Sequence, residues 1–96
     1  MNDKELYRQK LQAELDEWKA ENAKLKAKAA VAKAEAQLTM NKHIARLDYR
    51  LNDAQAKLSA LAEASEDAWD SVKNGVESAW NSLKSASSDA ALRFKS

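Results

Sequence analysis

His43 is the one histidine of this 96-residue chain, so metal binding or proton transfer by an imidazole has a single place to begin. On a helix a second metal ligand belongs three or four residues further on, and Arg46 and Leu47 occupy those places. His43 therefore reads as the flank of a neighbouring apolar position, Ile44. Seven serines from Ser71 onward (Ser71, Ser78, Ser82, Ser85, Ser87, Ser88 and Ser96) have no base to turn any of them into a nucleophile. There is no cysteine, which excludes disulfides and thiolate metal sites, and the single glycine, Gly75, cannot make a phosphate-binding loop. The acids are spread along polar faces at helical spacing from basic residues. The expectation is a protein that is not an enzyme and uses no cofactor, metal or small-molecule substrate.

The pattern with the most information is a repeat. Ser65–Gly75 and Val76–Ala86 are two copies of one phrase, with Trp69 and Trp80 eleven residues apart, and Ser87–Ser96 is a degraded third copy that keeps Ala90, Phe94 and Lys95 in register. Eleven residues make about three helical turns, so the repeat returns each side chain to nearly the same face of one helix. It writes a surface rather than a pocket.

Traced backwards, that face continues through the chain. The stripe runs Tyr7, Leu11, Leu15, Trp18, Asn22, Leu25, Ala29, Ala32, Ala36, Met40, Ile44, Leu47 and Leu51. It goes on through Ala54, Leu58, Leu61, Ser65, Trp69, Val72, Val76, Trp80, Leu83, Ser87, Ala90 and Phe94. Its mean step is about 3.6 residues, the period of an unstrained α-helix. With no proline, one glycine and a dominance of Ala, Lys, Glu and Leu, the chain has the composition of long helices or coiled coils.

Asn2 with Glu5 fits a capping box at the start. Ser65 followed by Glu66 and Asp67 fits an N-cap with acids in the first turn, where the helix dipole favours them. The expected fold is all-α, a single helical domain over 1–96. A long helix over about 3–63 is followed by a second over about 66–94, within a repeat segment of 66–96, folded as an antiparallel helical hairpin or coiled coil. In that hairpin Trp69 faces Leu58 and Leu61, Trp80 faces Leu47, Tyr49 and Leu51, and Phe94 faces Ala32 and Ala36.

Such a hairpin leaves residues 3–30 without a partner. Their stripe of Leu11, Leu15, Trp18 and Leu25 would stay wet, so self-association into a homo-oligomer is expected. The interface residues are then Leu11, Leu15, Trp18, Asn22 and Leu25 from the first part of the long helix, and Leu47, Leu51, Leu58 and Leu61 from the rest of it. Trp69, Val72, Val76, Trp80, Leu83 and Phe94 complete the set. Asn22 on the stripe is either buried, fixing register, or turned out of an imperfect seam.

Two alternatives stay open. Residues 66–94, with Trp, Val, Leu and Phe opposite Ser and Asn, have the form of a helix that lies on a membrane surface. A stripe with leftover length at one end can also pair head to tail into a filament. Charge does not decide: sixteen basic against fifteen acidic residues leave +1, which gives no reason to expect nucleic acid. Residues 21–46 hold six cations and two anions, either a solvated face over the Ala-rich stretch or a weak site for anionic lipid or acidic partners. Ala27 to Ala36 is either plain helix propensity or an interface. No apolar run of signal-peptide or membrane-spanning length occurs, so a cytoplasmic location is the expectation.

Asp3–Ala20, Met40–Leu47 and Ala64–Ala86 together resemble the small bacterial coiled-coil proteins of a stress-response family, most specifically in the repeated Ala-Trp-x-x-Val/Leu-Lys at Ala68–Lys73 and Ala79–Lys84. The resemblance implies a small helical, non-enzymatic protein loosely associated with stress. More distantly the 11-residue repeats are similar to those of late-embryogenesis-abundant proteins and exchangeable apolipoproteins.

Overall fold

The computed structural model describes the backbone of residues 3–93 and the side chains of residues 3–88. The chain is all-α, with three helices: α1 (Asp3–Ala30), α2 (Ala34–Glu63) and α3 (Glu66–Arg93). The expected long helix over 3–63 is therefore corrected: it is broken at residues 31–33, and its two halves fold against each other. Neither glycine nor proline makes that break. The Val31 and Ala32 amides donate to the carbonyls of Lys28 and Ala29 at 3.3 and 3.2 Å, a tightened last turn. The Gln37 side chain then reaches back from α2 and donates to the same Ala29 carbonyl at 2.9 Å, a second hydrogen bond on an acceptor in the last turn of α1. Lys33 takes the N-cap position of α2 in extended geometry without a side-chain cap.

The second break lies where the capping residues put it. Ser65 Oγ accepts from the Ala68 amide at 3.3 Å, and Glu66 and Asp67 occupy the first turn of α3. α3 then continues through Gly75 without interruption.

Helix α2 is central, packing against both α1 and α3. Gln12 pairs with Gln55, and Asn22 with Asp48, so α1 and α2 run antiparallel. Arg50 meets Ser82, so α3 turns back along α2 and lies parallel to α1. Direct α1–α3 contacts follow the parallel order: Lys4 with Glu66, Tyr7 with Trp69, Trp18 with Trp80 and Glu21 with Ser87. The result is a rod of 51 × 21 × 18 Å. Its length is close to that of one 28-residue helix, about 42 Å, plus the turns.

The stripe is the core of this rod. Leu11 and Leu15 of α1 join Leu47, Leu51, Ala54, Leu58 and Leu61 of α2 and Val76, Trp80 and Leu83 of α3 in one buried cluster. Tyr7, Trp18, Leu25, Trp69 and Val72 pack around it, half-buried. A smaller cluster of Ala29, Met40 and Ile44 closes the end near the 31–33 turn. The arm expected to stay wet is thus covered by its own chain. One pairing of the expected hairpin fails as well: Tyr49 is 75% exposed, away from Trp80. Phe94 lies outside the described residues.

Candidate functional site

The residues singled out from sequence are brought together, but as a core. Leu15, Leu58, Leu61, Val76 and Leu83 are at most 2% exposed, which leaves nothing of them for a partner. Burying such side chains contributes about 1.5–3 kcal/mol each, so the bundle has strong reason to stay closed. Asn22 takes the buried alternative at 3% exposure. Its Nδ2 donates to Asp48 Oδ1 at 2.6 Å, and Lys26 Nζ holds the other carboxylate oxygen at 3.2 Å. This polar link pins the register of α1 on α2. Asn22 Oδ1 and Trp80 Nε1 are buried without a hydrogen-bond partner.

The exterior is organised by charge, which the order of the chain conceals. At the end built from residues 3–20 and 51–80, six cations stand against eleven anions, a balance of −5. At the end built from residues 21–50 and 81–88, eight cations stand against three anions, a balance of +5. A nearly neutral protein is therefore a rod with an acidic and a basic pole. At the acidic pole four of the six cations, Lys4, Arg8, Lys57 and Lys73, are ion-paired, with Glu66, Glu5, Asp53 and Glu77. At the basic pole only Lys26 is, while Lys24, Lys28, Lys33, Lys42 and Arg46 make no ion pair among the described residues.

Helix dipoles explain part of this separation. Asp3, Glu5, Glu66 and Asp67 sit at the N-termini of α1 and α3, and Lys28 at the C-terminus of α1, where each is favoured. Lys33 is the exception, since a cation at the N-cap of α2 opposes the dipole and supplies no cap. The last turn of α2, at the acidic pole, carries no basic residue to offset its own dipole.

Each pole has its own relief. At the acidic pole a notch of about 260 Å³ opens between the start of α1, the end of α2 and the start of α3, lined by Leu61, Ala62, Ala64 and Trp69 and by the charged Lys4, Glu5, Arg8 and Glu66. Beside it Tyr7 and Trp69 meet edge to face at 5.8 Å, and Lys73 lies 5.0 and 5.3 Å from the two ring centroids. The Tyr7 hydroxyl donates to Glu77 Oε1 at 3.3 Å. Burial first, then the charge and hydrogen bond of Glu77 and the charge of Glu14, push the Tyr7 phenol above its ordinary value of 10.0. At the basic pole the turn presents Val31, 88% exposed, between Lys28 and Lys33. A groove of about 270 Å³ between α2 and α3, lined by His43, Arg46, Leu47, Arg50, Ser85 and Ala86, lies on the same half. Val31 was not among the residues singled out from sequence, because it lies off the stripe in a stretch that reads as helix.

Among the described residues no three histidines or acids cluster as a metal site, and no helix is long and apolar enough to cross a membrane. No protein family, curated protein or solved structure matches this chain.

Proposed function

We propose that the chain is a non-enzymatic structural and interaction protein, a preformed helical rod that engages other macromolecules, copies of itself first, through its charged exterior. The observation that carries this reading is that the apolar stripe of all three helices is spent inside one chain. Self-association by that stripe loses its motive once α1 is covered. What the rod offers a partner is charge and the relief at its two poles.

The lipid alternative requires α3 to leave the bundle and turn its apolar face outward. That step gives up the burial of Val76, Trp80 and Leu83, roughly 5 kcal/mol or more, before any lipid is touched. The test is to lock the bundle and ask whether function needs it open. Cysteines introduced as Glu21→Cys and Ser87→Cys, in a chain with none of its own, can be joined by a short bis-maleimide between α1 and α3. Tryptophan emission is then recorded with and without vesicles of equal phosphatidylcholine and phosphatidylglycerol. The expected emission is that of shielded indoles before vesicles are added, unchanged by them. A vesicle-induced blue shift that the cross-link abolishes would replace this reading with the membrane one.

A further inference from the structure

We infer that the two poles of the rod are made for each other, so that the Val31 apex of one copy seats in the Leu61–Trp69 notch of the next and copies join head to tail. The inference deepens the proposed function by naming the surfaces through which the rod associates with itself, and it rests on that reading. Three observations converge on it. The first is charge: the poles carry +5 and −5. The second is shape. A lone valine, 88% exposed, stands at one end, and the notch of about 260 Å³ at the other end has room for it, with Leu61, Ala62, Ala64 and Trp69 in its lining beside the charged Lys4, Glu5, Arg8 and Glu66.

The third is the flanking chemistry, which repeats the pairing on a smaller scale. Lys28 and Lys33 bracket Val31 and make no ion pair among the described residues, while the notch is lined by Glu5 and Glu66, each paired with a lining cation, Arg8 or Lys4, and the exposed Glu63 and Asp67 adjoin its lining residues in sequence. Lys33 also sits at an N-cap, where serine, threonine, aspartate or asparagine would serve the helix better. A cation kept at that position fits an external anionic partner. Because the two surfaces differ, the contact is heterologous. Opposite ends of a rod cannot close on themselves by one such step, so repetition gives an open chain rather than a dimer.

Long-range attraction of this kind depends on salt. At 0.01 M ionic strength the screening length is about 30 Å and at 1 M about 3 Å, so assembly is expected at the first and its loss at the second. Sedimentation velocity over a concentration series reads this directly, as a weight-average mass that climbs without a plateau at low salt. Two charge-swapped proteins provide the decisive arm. Lys28→Glu with Lys33→Glu sets acids on both sides of Val31 and cuts the basic pole from +5 to +1, while Glu63→Lys with Asp67→Lys sets cations beside the notch and cuts the acidic pole from −5 to −1. Circular dichroism verifies that each is folded. Each alone should stay monomeric at low salt, and an equimolar mixture should assemble again. Val31→Asn, which removes the knob and keeps the charge, should weaken the wild-type assembly.

A monomer at every concentration overturns the inference, as does a closed dimer indifferent to the swaps. Wild-type protein that stays monomeric but sediments with phosphatidylglycerol vesicles through Lys28 and Lys33 overturns it too, assigning the basic pole to a lipid surface. In each of these cases the tryptophan emission stays unmoved if the bundle is closed, so the reading of the rod as a preformed interaction protein fails or survives separately.

Discussion

Truncating Trp80 to alanine tests whether the repeat is core. The ring is 7% exposed in the central cluster, with its centroid 6.1 Å from that of Trp18. Removing a buried tryptophan costs about 3–5 kcal/mol. Against this stands the indole Nε1, buried without a partner; an unpaired donor costs about 1–3 kcal/mol, and truncation relieves that cost. The net loss for Trp80→Ala should therefore fall at the low end, about 3 kcal/mol. A chain of this length has a total stability of roughly 5–15 kcal/mol, so much of it would go. Equilibrium urea unfolding followed by far-ultraviolet circular dichroism is the assay, and with a slope of about 1–1.5 kcal/mol per molar the midpoint should drop by about 2–3 M. Trp80→Phe separates the two contributions, because it keeps a ring and removes the unpaired donor, and it should cost less than about 1 kcal/mol. A loss below about 1 kcal/mol for Trp80→Ala would refute the burial argument. Equal losses for the two variants would refute the unpaired-donor argument.

Gly75 lies inside α3 with nothing within 4 Å of the place a Cβ would take, so Gly75→Ala should stabilise by about 0.5–1 kcal/mol, read as a higher thermal midpoint. Lys33→Asp should add about 1 kcal/mol by giving α2 the N-cap it lacks, worth about 4–8 °C in Tm for a domain near this size. Raising the Tyr7 pKa in the folded state means that the folded protein holds a proton the unfolded chain releases. Stability should therefore be unaffected by Tyr7 below pH 10.0 and fall as pH rises through the folded pKa. Urea midpoints between about pH 9 and 11, bracketing the ordinary tyrosine value, should show this fall in the wild type and a shallower one in Tyr7→Phe. With Tyr49→Phe only Tyr7 remains, and its absorbance titration should be centred above 10.0.

The stripe was legible because helical periodicity and burial are the same signal. From Leu11 to Leu83 the large apolar residues at a spacing of three and four are those the structure buries or, as with Trp18, Leu25, Trp69 and Val72, packs half-buried against the core. The Ser65 cap was legible too, since a side-chain oxygen before two acids has a local physical role. The break at residues 31–33 was not. Its residues, Ala29 to Ala36, favour a helix, and the buried positions on either side, Ala29 and Met40, are eleven apart, so the apolar phase runs across the turn undisturbed. What decides the break is tertiary: folding α1 back covers Leu11 and Leu15, a gain that outweighs the local preference for one straight helix. The poles were hidden for the same reason. Residues 3–20 and 51–80 become one end only after the chain has turned twice, and a net charge taken along the sequence averages their difference away.

The two short turns have a consequence for how the rod forms. Each helix finds its main packing partner immediately before or after it in the chain, so the loops to be closed are small and contact order is low. With no proline to isomerise and no cysteine to oxidise, neither of the usual slow steps is available. Refolding should run in a single exponential phase on the microsecond-to-millisecond scale of helical bundles, leaving the aromatic rings exposed to water only briefly as the chain emerges from denaturant.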